Sequence, residues 1–188
     1  MSYLRSFLPW IVYAAISGVS ASAIKWAALT ALVVAVLVIA YQVRAGSAYD
    51  ALILEIGSAV FFAGMAALAF AAPHSTLVGY STALASTALA VIAWGSLVIR
   101  RPFTLGIAKQ TTPSEFWDQP LFMRTNVIIT AVWAVSFTVA TAILVVLVHA
   151  GADTVLRGVV QVVTVVIPLV FTIRYVAIVQ GRIQEILS

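Results

Sequence analysis

Two ionisable side chains lie inside stretches that are otherwise apolar: Glu55 within 51–72 and Arg174 within 158–180. A charge in hydrocarbon is costly, so such residues mark ion pairs, proton relays or solute paths by default. At a rise of 1.5 Å per residue, Glu55 lies roughly 6 Å inside its stretch and Arg174 roughly 9 Å from the end of its own. If the two helices touch, these matched depths permit a Glu55–Arg174 ion pair. A relay or transport path through Glu55 and Arg174, lined further by Asn126 and Gln161, is a second reading. In the third, Arg174 snorkels to the headgroups while Glu55 reaches interfacial water.

Other chemistry has little to build on. His74 and His149 fall in two turns that share one side and, with Asp153, make up fewer ligands than the four of a structural zinc site. The chain has no cysteine, which excludes disulfides, thiolate catalysis and iron–sulfur ligation. No phosphate loop, nucleophile elbow or HExxH run is present. Glu115 and Asp118 form the one acidic cluster on the longest connection. The reading is therefore a non-enzyme with no catalytic residue, metal or cofactor assigned.

The elements holding these residues follow from composition. Of 188 residues, 63% are hydrophobic and 9% charged, with a mean hydropathy of +1.13. Soluble domains carry about a quarter charged residues, so a water-solvated globule is excluded, as is disorder. A spanning helix takes roughly 20 residues. The expected fold is an all-α polytopic transmembrane bundle forming a single membrane domain. Its six spans are read at about 7–23, 26–43, 51–72, 77–99, 127–148 and 158–180. Five remain if the first, diluted by Pro9, Ser17, Gly18, Ser20 and Ser22, does not cross. Arg5 before that stretch resembles a signal-peptide start, but apolar sequence resumes after Lys25, which favours a retained span.

Alternation of six spans collects Arg5, Arg44, Arg100, Arg101, Lys109, Arg124 and Arg182 on one side, with Arg174 near it. The other side keeps Lys25 and Arg157. The positive-inside rule puts the rich side, and with it both termini, in the cytoplasm. The net charge of +4 is thus a topology signal rather than a nucleic-acid footprint, and the expected surroundings are membrane lipid.

The connection from Arg100 to Asn126 is the one long loop, and it is rich in Phe, Leu and Trp. It is expected at the cytoplasmic interface, partly amphipathic and packed under the bundle, with a short helix capped by Thr112 or Ser114. Small-residue stripes at Ala59, Ala63, Ala67, Ala71 and at Ala83, Ser86, Ala90, Ala93 predict close helix packing. Tyr41, Tyr49, Trp94, Trp117 and Trp133 are expected in an interfacial aromatic belt. Pro168 is expected to free a backbone carbonyl near Thr164.

SFLPWIVYAAI (Ser6 to Ile16), the Ala-rich second span, RRPF (Arg100 to Phe103) and the series Trp117, Asn126, Trp133, Ala134, Phe137 carry a family likeness. In order and spacing, over nearly the whole chain, these resemble the intracellular septation protein A family of bacterial inner-membrane proteins. Ser17, Gly18 and Ser20 stand where that family has intramembrane polar and charged residues. The resemblance implies a non-catalytic role in cell-envelope integrity or septation, with other envelope membrane proteins as partners. The rival expectation is a small-solute or lipid transporter using Glu55 and Arg174.

Overall fold

A computed structural model describes residues 5–18, 20–46, 52–110 and 112–187, with side chains at all of these except 21 and 182–187. Tyr49 and the Arg182 side chain therefore lie outside the described residues. The described chain folds as helices α1 (Leu8–Ser17), α2 (Ile24–Arg44), α3 (Ile53–Ala71), α4 (Thr76–Gly79), α5 (Ser81–Val98), α6 (Phe103–Lys109), α7 (Pro120–His149) and α8 (Thr154–Leu187). Short 3-10 turns stand at Ala21–Ala23 and Ser114–Phe116. Helix is what hydrocarbon requires, because each backbone N–H and C=O must find its partner within the segment. Five of the helices, α2, α3, α5, α7 and α8, are long and apolar enough to cross a membrane.

The ends follow local chemistry. Pro9 sits in the first turn of α1, where a missing N–H costs nothing. Asp153 Oδ1 accepts from the Leu156 amide at 2.7 Å and opens α8. α7 closes where Gly151 turns to φ 70°, with its amide on the Val148 carbonyl and that of Ala152 on the Leu147 carbonyl. This is the paired bonding that glycine favours at a helix end. α5 closes with the same bonds, but through Arg100 at φ 57°.

The long helices pack in a sequential array: α2 against α3, α3 against α5, α5 against α7, and α7 against α8. α8 is outermost, with 11% of its apolar window buried against 44% for α5. The core is lined by small residues on α2 (Ala27, Ala28, Ala31, Ala35) and by aromatic rings from α1, α3 and α7. In lipid, such close approach and van der Waals contact drive association.

Several expectations change. The first stretch, 7–23, is not one continuous helix. It comprises the ten-residue α1, a break at Gly18 and a 3-10 turn before α2. Ten helical residues rise only about 15 Å, half of a bilayer core. α7 begins at Pro120 rather than 127, and α8 extends over Thr154–Leu187 rather than 158–180. The 112–116 region holds only a 3-10 turn, while the true loop helix is α6, which lies earlier. α6 packs against the bundle, with Phe103 to Ile107 all buried against α7, α5 and α3. On α3 the stripe of Ala63, Ala67 and Ala71 faces outward, with Ala59 half-buried. The buried face is Leu54, Glu55, Ser58, Phe62, Met65, Ala66 and Ala69. The α5 stripe Ala83, Ser86, Ala90, Ala93 is buried as expected.

Candidate functional site: a buried carboxyl and its donors

Glu55 is 1% exposed, in the first turn of α3. The unpaired amides of a helix N-terminus favour negative charge there. Its Oε1 accepts from Ser6 Oγ at 2.6 Å and from Gln42 Nε2 at 2.7 Å. Gln42, itself buried, accepts through its Oε1 from Gln110 Nε2 at 3.4 Å. Glu55 and Gln42 thus join the segment just before α1, the end of α2, the start of α3 and the residue following α6.

α1 then follows α3 inward. Trp10 Nε1 donates to Ser58 Oγ at 2.8 Å, and the Trp10 and Tyr13 rings pack on Phe62 at 4.7 and 5.3 Å. Residues 6, 10 and 13 thereby match 55, 58 and 62, so α1 runs parallel to α3 and antiparallel to α2. The segment starts beside Gln42, near one end of α2, and leads back to Ile24 at the other end.

A second polar centre lies between α6, α7 and α8. Trp133 is 1% exposed and not in an aromatic belt. It is buried because its ring stacks on Phe7 at 5.1 Å and its Nε1 donates to Thr172 Oγ1 at 3.1 Å, which satisfies the indole. Thr104 Oγ1 lies 2.8 Å from Thr130 Oγ1 and donates to the Asn126 carbonyl at 3.1 Å, pinning α6 to α7. Pro168 lacks the N–H that would serve the Thr164 carbonyl. Ser136 Oγ of α7 supplies the donor instead, at 2.7 Å.

The four residues singled out from the sequence are not brought together. Arg174 is exposed on α8 and is not among the partners of Glu55. Asn126 is buried, and its Nδ2 donates back to the Phe122 carbonyl at 2.9 Å. Gln161 is half-buried with its Oε1 unpartnered. Among the described residues no hydrogen bond joins any two of them. His74 and His149 are both exposed, and no group of three or more potential ligands forms among the described residues. Tyr41 and Trp94 are exposed, and Trp117 is tied down by donating to the Thr112 carbonyl.

Sequence reasoning missed Ser6, Gln42 and Gln110. A signal existed for Gln42, which stands near the end of its span as Glu55 stands near the start of the next. A short connection brings those ends to the same depth.

Two open grooves lie on the outer surface. One, about 360 Å³, runs between the N-terminal segment and α2. The other, about 590 Å³, lies between α5 and α7 and is spanned by Trp94 Nε1 donating to Thr138 Oγ1 at 3.1 Å. Neither is lined by Glu55. Compared with protein-family models, curated proteins and solved structures, the chain matches none.

Proposed function

We propose that this multi-pass membrane protein resides in a bacterial cytoplasmic membrane and has a non-catalytic role in cell-envelope integrity and septation. The supporting observation is how Glu55 is used. The most deeply buried acid among the described residues spends Oε1 on two neutral donors that lock the N-terminal segment to α2 and α3. A carboxyl fixed in this way serves as an assembly joint, and the bundle acts through its packing and the partners it contacts. In this reading the segment 6–23 crosses alongside α2 as a broken span. Both termini and the α6 loop then face the cytoplasm, with Arg5, Arg44, Arg100, Arg101, Lys109 and Arg124 at that surface.

A transporter is the competing reading, favoured by one feature: Glu55 Oε2 takes no hydrogen bond among the described residues. Deletion of the gene in its own bacterium, followed by complementation, separates the two. The envelope reading expects elongated or detergent-sensitive cells, rescued by wild type and equally by Glu55→Gln, which keeps an acceptor for Ser6 and Gln42. The transporter reading expects Glu55→Gln to fail, with loss of solute flux in reconstituted vesicles. Normal division and an intact envelope after deletion would overturn the envelope role.

A further inference from the structure

The groove beside the N-terminal segment has the two-part chemistry of a phospholipid. Its wall is Leu8, Val34, Leu37 and Val38, and its end is formed by Arg5 and Tyr41. Val34, Leu37, Val38 and Tyr41 recur at helical spacing on one face of α2, and Arg44, three residues beyond Tyr41, continues that face. From Val34 to Tyr41 the wall is roughly 10 Å long, within the ~15 Å of one leaflet's hydrocarbon. The Arg5 guanidinium sits over the Tyr41 ring at 5.0 Å, exposed and without a carboxylate partner among the described residues. A guanidinium held over an aromatic face still carries N–H groups that can donate to a phosphate. It stands where the apolar wall ends.

We propose that this groove is a binding site for an anionic phospholipid of the leaflet on the Arg5 side. One acyl chain lies along Val34, Leu37 and Val38, and the headgroup phosphate is held by Arg5 with Arg44 beside it. Charge complementarity selects the occupant, since that leaflet carries the anionic lipids that attract juxtamembrane cations. A second helix would leave the Arg5 guanidinium facing an apolar surface, whereas a phosphate pairs with it. The site rests on the chain lying in a bilayer with its Arg5 side cytoplasmic, as proposed above, and not on its envelope role, so either can fail alone.

The test is native mass spectrometry of the purified full chain in detergent micelles with equal amounts of phosphatidylglycerol and phosphatidylcholine. One well-placed cation near the surface corresponds to about fivefold, so wild type is expected to retain phosphatidylglycerol over phosphatidylcholine by about that factor. Arg5→Gln is expected to bring the ratio close to one. Leu37→Trp, which fills the groove, lowers retention of both lipids. Arg124→Gln, a same-side cation on α7 away from the groove, leaves the preference unchanged. Equal retention of both lipids by wild type overturns the site, as does a preference that survives Arg5→Gln. A loss in Arg124→Gln as large as in Arg5→Gln also overturns it, because diffuse surface charge then explains the binding. Should Arg5→Gln not fold, Leu37→Trp decides: undiminished phosphatidylglycerol retention with the groove filled refutes the site.

Discussion

Ser136 of α7 donates its hydroxyl to the backbone carbonyl of Thr164 on α8 at 2.7 Å, the carbonyl that Pro168 deprives of its helical partner. A proline in a spanning helix is tolerated where a neighbour re-satisfies the freed group. Here the neighbour's serine also ties the outermost helix to the bundle. Ser136→Ala is expected to cost about 1 kcal/mol by leaving that carbonyl without a donor. With Pro168→Ala the N–H returns, and the same serine substitution becomes nearly neutral. A double-mutant cycle on unfolding in mixed micelles measures this, and equal costs in both backgrounds would refute the coupling.

The Glu55 joint makes a prediction about shape rather than charge. Glu55→Gln keeps an oxygen for Ser6 Oγ and Gln42 Nε2 and is expected to change stability by less than about 1 kcal/mol. Glu55→Leu strands both buried donors and is expected to cost about 3 kcal/mol. Thermal unfolding in detergent reads the difference. If the two variants are equally stable, the donors do not depend on this acceptor.

Arg174 provides the opposite case. It is exposed, and Glu55 is satisfied by other groups. Arg174→Leu is therefore expected to leave the unfolding temperature within experimental error of wild type. A drop comparable to that of Glu55→Leu would reinstate an ion pair between α3 and α8.

Two glycines on one helix should respond with opposite signs. A Cβ on Gly57 would stand 2.6 Å from Ile92 Cγ1, where α3 and α5 approach closely, whereas one on Gly64 meets nothing within 4 Å. Gly57→Ala is expected to destabilise by about 1 kcal/mol or more through overpacking. Gly64→Ala is expected to stabilise by up to about 1 kcal/mol through helix propensity. Ile92→Ala should relieve the first effect without altering the second. Chemical denaturation of wild type and Ile92→Ala, each alone and with either glycine substitution, checks it, and losses shared by both glycine variants would count against the packing account.

How much was legible beforehand depends on which physical rule was at work. The long apolar runs announce α2, α3, α5, α7 and α8, because lipid imposes helix on any chain that enters it and length is set by bilayer thickness. The Thr164 carbonyl was equally readable, since a proline removes a particular N–H whatever surrounds it. The position of α6 escaped because five consecutive buried residues in a short helix carry no periodicity that marks where the helix starts. The alanine stripe on α3 misled for a related reason. Alanine is abundant on every face of these helices, so spacing alone does not choose the inward one.

The sequence by itself determined that hydrocarbon is the solvent, where the long helices run, which end carries the positive charge, and that Glu55 needs partners. Only the tertiary structure decided who those partners are: Ser6 and Gln42 in place of Arg174. It also decided that Trp133 lies in the core and that α1 runs parallel to α3. The physical reason is that burial in hydrocarbon is a property of each segment and is written locally. Hydrogen-bond partners separated by tens of residues, such as Ser6 and Glu55, depend on which helix faces meet. That choice is made by packing across the whole bundle.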